Sequence, residues 1–322
     1  MKAAVYYETG GPEVFRYEDV PDPGCGPGTV LIDVQAISIE GGDTLHRAGG
    51  VLASRPHIVG YQCGGVVREV GAGVSERTPG QRVVAVMQHG SHAERVAVPA
   101  MATWIVPDGL DLKLAACVPI PFGTADDCLF EFGRLQAGET ALIHAGAGGV
   151  GIAAIQLAKR AGAQVLATAS SDSKLERLKP LGLDHGINYR SGDFVAAVRE
   201  RTGGRGADVI VDSVGGRTLE GSIEAAAYRG RIAYVGSAGR DAYRANLDNL
   251  RSGNKTISGI FLGAELMLNH ARVHAMIARH LADLAGGTLR AVVDREYALA
   301  DAAAAHAYVE SRQAFGRVLL VP

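Results

Sequence analysis

Gly146, Gly148 and Gly151 stand in a G-x-G-x-x-G pattern between an apolar run at 140–144 and a stretch to 158 whose apolar residues recur at helical spacing. That order reads as strand, tight turn and helix start. Backbone N–H groups at such a helix N-terminus face an anion, and glycine lets a pyrophosphate come close. The turn, completed by Gly149 and Val150, therefore predicts a bound dinucleotide. In NAD-selective sites an acid about 20 residues further on holds the ribose hydroxyls. Here the strand at 164–168 runs instead into Ala169-Ser170-Ser171-Asp172-Ser173-Lys174. Hydroxyls and an ammonium suit a 2′-phosphate, so Ser170 and Lys174 predict NADPH, and Asp172 is placed to cap the next helix.

Other chemistries find less support. Cys25, Cys63, Cys117 and Cys128 are scattered without a C-x-x-C pair, which offers neither a disulfide framework nor a zinc knuckle. His270 and His274 lie four apart on a predicted helix, but two imidazoles fall short of the three or four ligands that zinc takes. His89, His92 and His144 read as structural or loop histidines. No metal is expected. A formal net charge of −2 with no Lys/Arg run lacks the footprint of a nucleic-acid binder. No apolar stretch reaches the ~18 residues of a membrane span, and the chain starts on a strand pattern, so a cytoplasmic protein is expected.

The elements that must position these residues fall into two kinds. With 322 residues, 47% hydrophobic, two cores are expected. Up to about residue 110, short β-rich runs at 29–36, 64–70, 81–87 and 94–98 alternate with Pro/Gly turns at the spacing of a small barrel, with no strong long helix. Helical patterns at 112–118 and 124–132 then lead into the glycine-turn strand. From 140 to 263 strands and helices alternate, which predicts an α/β parallel sheet covered on both faces. An amphipathic helix at 265–285, a strand at 291–297, a helix at 299–311 and a strand at 317–321 follow, and this tail is expected to return to the first domain.

Here a resemblance enters, carried by Gly10-Gly-Pro-Glu-Val14, Asp43-x-x-x-Arg47-x-Gly49, the glycine turn with Gln156-Leu-Ala158, Gly203-Gly-x-Gly206-Ala-Asp208, Asp212-Ser-Val-Gly-Gly216 and Gly230-Arg-Ile-Ala-Tyr-Val-Gly236. Nearly end to end, the chain resembles the medium-chain dehydrogenase/reductase superfamily, in its zinc-independent quinone oxidoreductase (zeta-crystallin-like) branch. The resemblance implies a Rossmann doubly wound domain at 121–263 and a GroES-like β-barrel catalytic domain made of 1–120 and 264–322. It also implies a cleft where nicotinamide meets substrate, and a homodimer, expected to pair through the strand at 256–262. By position, Ser170, Lys174 and Tyr189 match residues that hold the 2′-phosphate, and Thr124 matches one beside the nicotinamide. Asp43 matches an aspartate near the cofactor. Gly236 and Leu262 complete the implied cofactor set. Glu40 departs from the branch's asparagine and Leu45 from the tyrosine of some members. Zinc relatives carry a cysteine in the segment equivalent to 39–43 and Gly-His-Glu where this chain has Gly60-Tyr61-Gln62.

Without a Lewis acid, hydride addition suits conjugated carbonyls, whose developing charge reaches an oxygen that one donor or water can protonate. Tyr61, standing for the zinc histidine, is the candidate donor, or else it packs the cleft wall. Glu40 orients water or substrate, or accepts from nearby backbone. The expected function is NADPH-dependent reduction of a quinone. Reduction of the C=C bond of enones or enoyl thioesters, and a non-catalytic NADPH-binding sensor, are the alternatives.

Overall fold

Short strands build the N-terminal part of the chain. In the computed structural model, which describes residues 1–322, these are β1 (Lys2–Tyr6), β2 (Arg16–Asp19), β3 (Thr29–Ser38), β4 (His57–Ile58), β5 (Gln62–Val70), β6 (Arg82–Val86), β7 (Arg95–Pro99) and β8 (Thr103–Ile105). The helix α1 (Gly41–Gly49) follows β3, and the short α2 (Leu112–Ala115) follows β8. No strong long helix is expected before residue 110, and α1 is a short one of nine residues. Its buried residues are Asp43, Thr44 and Arg47, so its inner face is polar and leaves no apolar periodicity to read.

α3 (Pro119–Asp126) leads into elements that alternate as far as β13: β9 (Thr140–Ile143), α4 (Gly149–Arg160), β10 (Gln164–Ala169), α5 (Asp172–Leu178), β11 (His185–Asn188), α6 (Phe194–Arg201), β12 (Ala207–Asp212), α7 (Arg217–Ala225) and β13 (Ala226–Tyr234), with β14 (Thr256–Gly259) following. The six strands form one sheet in the order β11-β10-β9-β12-β13-β14, every pairing parallel. Leu142, Leu166 and Ile210 at its centre are fully buried, as a sheet covered on both faces requires. This is a Rossmann α/β sheet. Successive connections leave β9 in opposite directions, so the turn after β9 sits at the switch point where such sheets bind ligands. Two boundaries differ from expectation. β14 ends at Gly259, and Leu262 opens α8 (Leu262–Leu268) instead of closing a strand. The helix expected at 265–285 is broken at Asn269, where α9 (His270–Ala285) starts anew.

The tail adds β15 (Val293–Ala298), α10 (Ala302–Glu310) and β16 (Arg317–Val321). β16 pairs antiparallel with β3 through Leu319–Ser38 and Leu320–Ile37, inserting the C-terminus into a seven-stranded GroES-like sheet that runs β15-β16-β3-β5-β6-β8, with β7 also on β3. β2-β1-β4 form a separate three-stranded sheet. Val30, Ile32, Ile37, Val83, Ala85, Val318 and Leu320 make one core with Leu299 and Ala305. The chain divides into two units, Met1–Ile120 with Leu266–Pro322, and Pro121–Glu265.

Candidate functional site

In the second unit the glycine turn is shaped by close approach. A Cβ on Gly151 would lie 2.4 Å from the carbonyl oxygen of Ala145, and one on Gly146 would lie 2.9 Å from Cβ of Ala167. Helix and strand pack too tightly there for any side chain. Ala145 takes φ of 51°, a left-handed conformation costly for alanine, and is held in it by Thr168, whose Oγ1 accepts from Ala145 N–H at 3.3 Å. The carbonyl of Thr168 accepts from Gly146 N–H at 2.8 Å. Gly148 is the N-cap of α4 and supplies no side chain, so the first N–H groups of this twelve-residue helix face outward without a cap.

At the end of β10, Ser171 caps α5 by accepting from Lys174 N–H at 3.3 Å. This corrects Asp172 as the cap: Asp172 lies one residue inside the helix and accepts from Asn188 Nδ2 at 3.0 Å. Ser170 and Lys174 are half-buried at this corner, and Tyr189, at the end of β11, is exposed. Thr124 is buried on α3, Gly236 is half-buried after β13, and Leu262 is buried at the start of α8. No acid follows β10 before Asp172.

In the first unit the candidate catalytic groups sit at element ends, Glu40 as the N-cap of α1 and Tyr61 directly before β5. Glu40 N–H donates to Oδ2 of Asp43 at 2.8 Å, while Oδ1 of Asp43 is buried with no hydrogen-bond partner. Burial, with the charge of Glu40 adding to it, pushes the Asp43 carboxyl well above the usual carboxylate range against the pull of its backbone bond and of Arg317. Tyr61 is half-buried and donates only a long 3.3 Å bond to the carbonyl of Gly42. Burial and the nearby Asp43 and Glu40 carboxyls push its hydroxyl up to about 12, so it keeps its proton. Gly42 has to be glycine, because a Cβ there would sit 2.4 Å from Cε2 of the Tyr61 ring.

Glu40 is 6% exposed, and both its carboxylate oxygens are engaged. Oε1 accepts from Gln62 Nε2 and Arg317 Nη2, and Oε2 accepts from Arg317 Nη1 at 3.2 Å. Arg317 also donates to Ser38 Oγ at 2.8 Å and to the carbonyl of Ile39. Gln62 Oε1 accepts from Ile120 N–H at 3.0 Å. Burial moves the Glu40 carboxyl up, to about 7, with the guanidinium pulling it back. Its side-chain partners are Gln62 and Arg317, the latter 277 positions away, and at the start of α1 it forms a capping box with Asp43.

Residues 149–283 match the family described as zinc-binding dehydrogenase, and residues 26–108 the alcohol dehydrogenase GroES-like domain. Over 331 residues the chain is 35% identical to 2-haloacrylate reductase of a Burkholderia species, covering 100% of this chain and 99% of that one. To the quinone oxidoreductase of Sus scrofa it is 31% identical over 326 residues, covering 100% and 98%. The structure of Escherichia coli quinone oxidoreductase complexed with NADPH is 28% identical, covers 100% of both chains and superposes with a TM-score of 0.94.

The chain is a medium-chain dehydrogenase/reductase of the quinone oxidoreductase branch.

The zinc in the name of one matching medium-chain family does not fit the donor set here. Where zinc members place thiolate and imidazole, this medium-chain reductase has Glu40, spent on Arg317 and Gln62, and the phenol of Tyr61. No three His, Cys, Asp or Glu side chains are gathered so as to hold a metal ion. His270 and His274 instead bond the carbonyls of Met101 and Thr103 at 2.9 and 3.2 Å, tying α9 to β8. No helix is long and apolar enough to cross a membrane.

The structure also brings in residues that motif reading passed over. Arg317 and Gln62 frame Glu40, and Gly42 sets Tyr61. Gln62 was visible only as the replaced zinc-site glutamate, and Arg317 offered no signal before the fold placed β16 beside β3.

Proposed function

We propose that this medium-chain reductase binds NADPH on its second unit and reduces a quinone by hydride transfer. The observation that carries the cofactor is the corner at Ala169–Lys174, which has no acid before Asp172 and lies next to the open, glycine-lined N-terminus of α4. NADPH bound to the Escherichia coli relative supports it. Bound there, NADPH supplies a hydride. Gly146, Gly148, Gly149, Val150 and Gly151 hold the pyrophosphate, while Ser170, Lys174 and Tyr189 hold the 2′-phosphate. Thr124, Gly236 and Leu262 line the remainder, and Asp43 supports the nicotinamide side.

Reduction of a quinone takes one hydride and one proton. Tyr61 holds a proton at neutral pH and has no strong bond to give up, so its hydroxyl turns from Gly42 to the developing oxyanion and donates to it. Glu40 positions: through Arg317 and Gln62 it fixes the start of α1, and with it Asp43 and Gly42. Similarity to 2-haloacrylate reductase favours a second reading, hydride addition to the C=C bond of a conjugated acid or ketone. The protein works as a homodimer paired along β14.

The test is oxidation of NADPH followed at 340 nm with 1,4-quinones, alkyl enones and 2-haloacrylate as separate acceptors. Turnover of quinones with the highest kcat/KM supports the first reading, and preference for enones or haloacrylate supports the second. Tight NADPH binding with no turnover of any acceptor rejects both in favour of a sensor, and efficient ethanol oxidation by metal-free protein sinks the metal-independent mechanism.

A further inference from the structure

Behind the glycine turn, four polar side chains from three strand ends and one helix are sealed in the second unit. His144 follows β9, Thr168 lies near the end of β10, Asp212 ends β12 and Ser222 is on α7; their exposures are 2%, 2%, 0% and 0%. Each touches the next. Thr168 Oγ1 is 3.1 Å from His144 Nδ1, His144 Nε2 is 3.0 Å from Ser222 Oγ, and Ser222 Oγ is 2.8 Å from Asp212 Oδ2. Asp212 Oδ1 then accepts from the N–H groups of Val214 and Gly215, both at 2.9 Å.

Proton counting gives this chain a direction. Ser222 has one hydroxyl hydrogen and three partners, because its Oγ is also 2.9 Å from the carbonyl of Thr218. That carbonyl and the Asp212 carboxylate only accept. The hydrogen therefore goes to one of them, and His144 must donate to Ser222 from Nε2. Nδ1 of the neutral ring is then an acceptor and takes the hydrogen of Thr168. The lone pairs of Thr168 remain for the N–H of Ala145, the residue held at positive φ in the glycine turn. Burial, opposed by Asp212, holds the His144 pKa below its ordinary value and so keeps the ring neutral. Its edge packs on Phe194 with ring centroids 4.8 Å apart.

We propose that Thr168, His144, Ser222 and Asp212 form a directed hydrogen-bond chain that holds the turns after β9, β10 and β12 in register, with His144 the positioning residue for NADPH. The proposal rests on the NADPH reading. It assigns no chemistry to His144, which is walled off from solvent. Its consequence is for affinity: the chain fixes the turn that meets the pyrophosphate, a part common to NADPH and NADH.

Two measurements test it. In cofactor-free protein labelled with 15N at histidine, His144 is expected as the neutral Nε2–H tautomer, unchanged from pH 5.5 to 8.5; an Nδ1–H tautomer or a titrating ring overturns the proposal. Cofactor titrations of His144→Phe and Ser222→Ala are expected to raise Kd about tenfold for NADPH and NADH alike, the scale of one hydrogen bond, with kcat at saturating NADPH within about twofold of wild type. The double variant is expected to lose no more than His144→Phe alone, as members of one chain do. Folded variants that lose thermal stability yet bind both cofactors like wild type overturn the positioning role. If neither variant folds, the wild-type tautomer decides. A wild type that binds neither cofactor overturns the NADPH reading, while the tautomer still tests the chain by itself.

Discussion

Tyr61 and Lys174 divide the chemistry between a proton and a phosphate, and each can be tested alone. Tyr61→Phe keeps the ring and its packing but removes the donor, so kcat should fall about tenfold to a hundredfold while the Kd for NADPH stays put. Steady-state kinetics beside cofactor titration reads that split, and unchanged turnover would leave water as the proton source. Lys174→Ala should weaken NADPH by about 1.5–3 kcal/mol, the worth of a charged hydrogen bond, and leave NADH untouched. Equal losses would remove Lys174 from the 2′-phosphate. Both residues can be singled out in the sequence because each stands in a local pattern, Tyr61 beside Gln62 in the zinc-site segment and Lys174 five residues past the end of β10. The partners of Glu40 cannot. A pair such as Glu40–Arg317 becomes visible only once β16 lies against β3, and the polar chain through His144 needs three strand ends assembled.

Among the elements, the parallel strands were legible from runs such as Ala141-Leu142-Ile143, because a strand buried on both faces must be apolar throughout. α1 was not, since its inward residues are Asp43, Thr44 and Arg47 and its ends are glycines. β4 shows another cost hidden from sequence. Its His57 is fully buried, neither ring nitrogen has a hydrogen-bond partner, and the rings of His46 and His89 lie 4.9 and 5.3 Å away. Burial, then these two histidines, lower its pKa from 6.5 to about 4. The unfolded chain therefore binds a proton that the folded one refuses between those values, and stability falls as pH drops through that window. For His57 alone the loss is about 2–3 kcal/mol, at about 1.4 kcal/mol per pH unit. His92 and His306, a buried pair with Nε2 atoms 3.0 Å apart, are depressed as well and add to the acid sensitivity. Urea unfolding at pH 6.5 and pH 4 should show a difference smaller by that amount in His57→Phe, which removes the titrating ring but keeps an aromatic body. An identical difference in the variant would mean that His57 is protonated in the folded state.

For the whole molecule, the remaining question is what covers β14. It is the outer strand of the parallel sheet, bonded on one side to β13 from Thr256 through Gly259, and its other side presents unpaired N–H and C=O groups. Thr256 and Gly259 are exposed, and Phe261 just beyond is 70% exposed, an aromatic surface that a solitary subunit would leave in water. No proline or lysine guards the strand itself, whose residues are Thr256, Ile257, Ser258 and Gly259. A two-fold axis beside it would pair β14 antiparallel with its own copy, extend six strands to twelve and satisfy both edges with a single self-complementary patch. Light scattering at micromolar concentration should therefore give twice the 33.5 kDa chain mass. Ile257→Pro removes one backbone donor and stiffens the edge, so it should shift the protein toward monomer if Ile257 N–H faces the partner; Ser258→Pro is the matched variant for the neighbouring donor, one of the two pointing outward in any strand. A monomeric wild type would sink the pairing outright, and a dimer that neither proline disturbs would move the interface to another surface of the molecule.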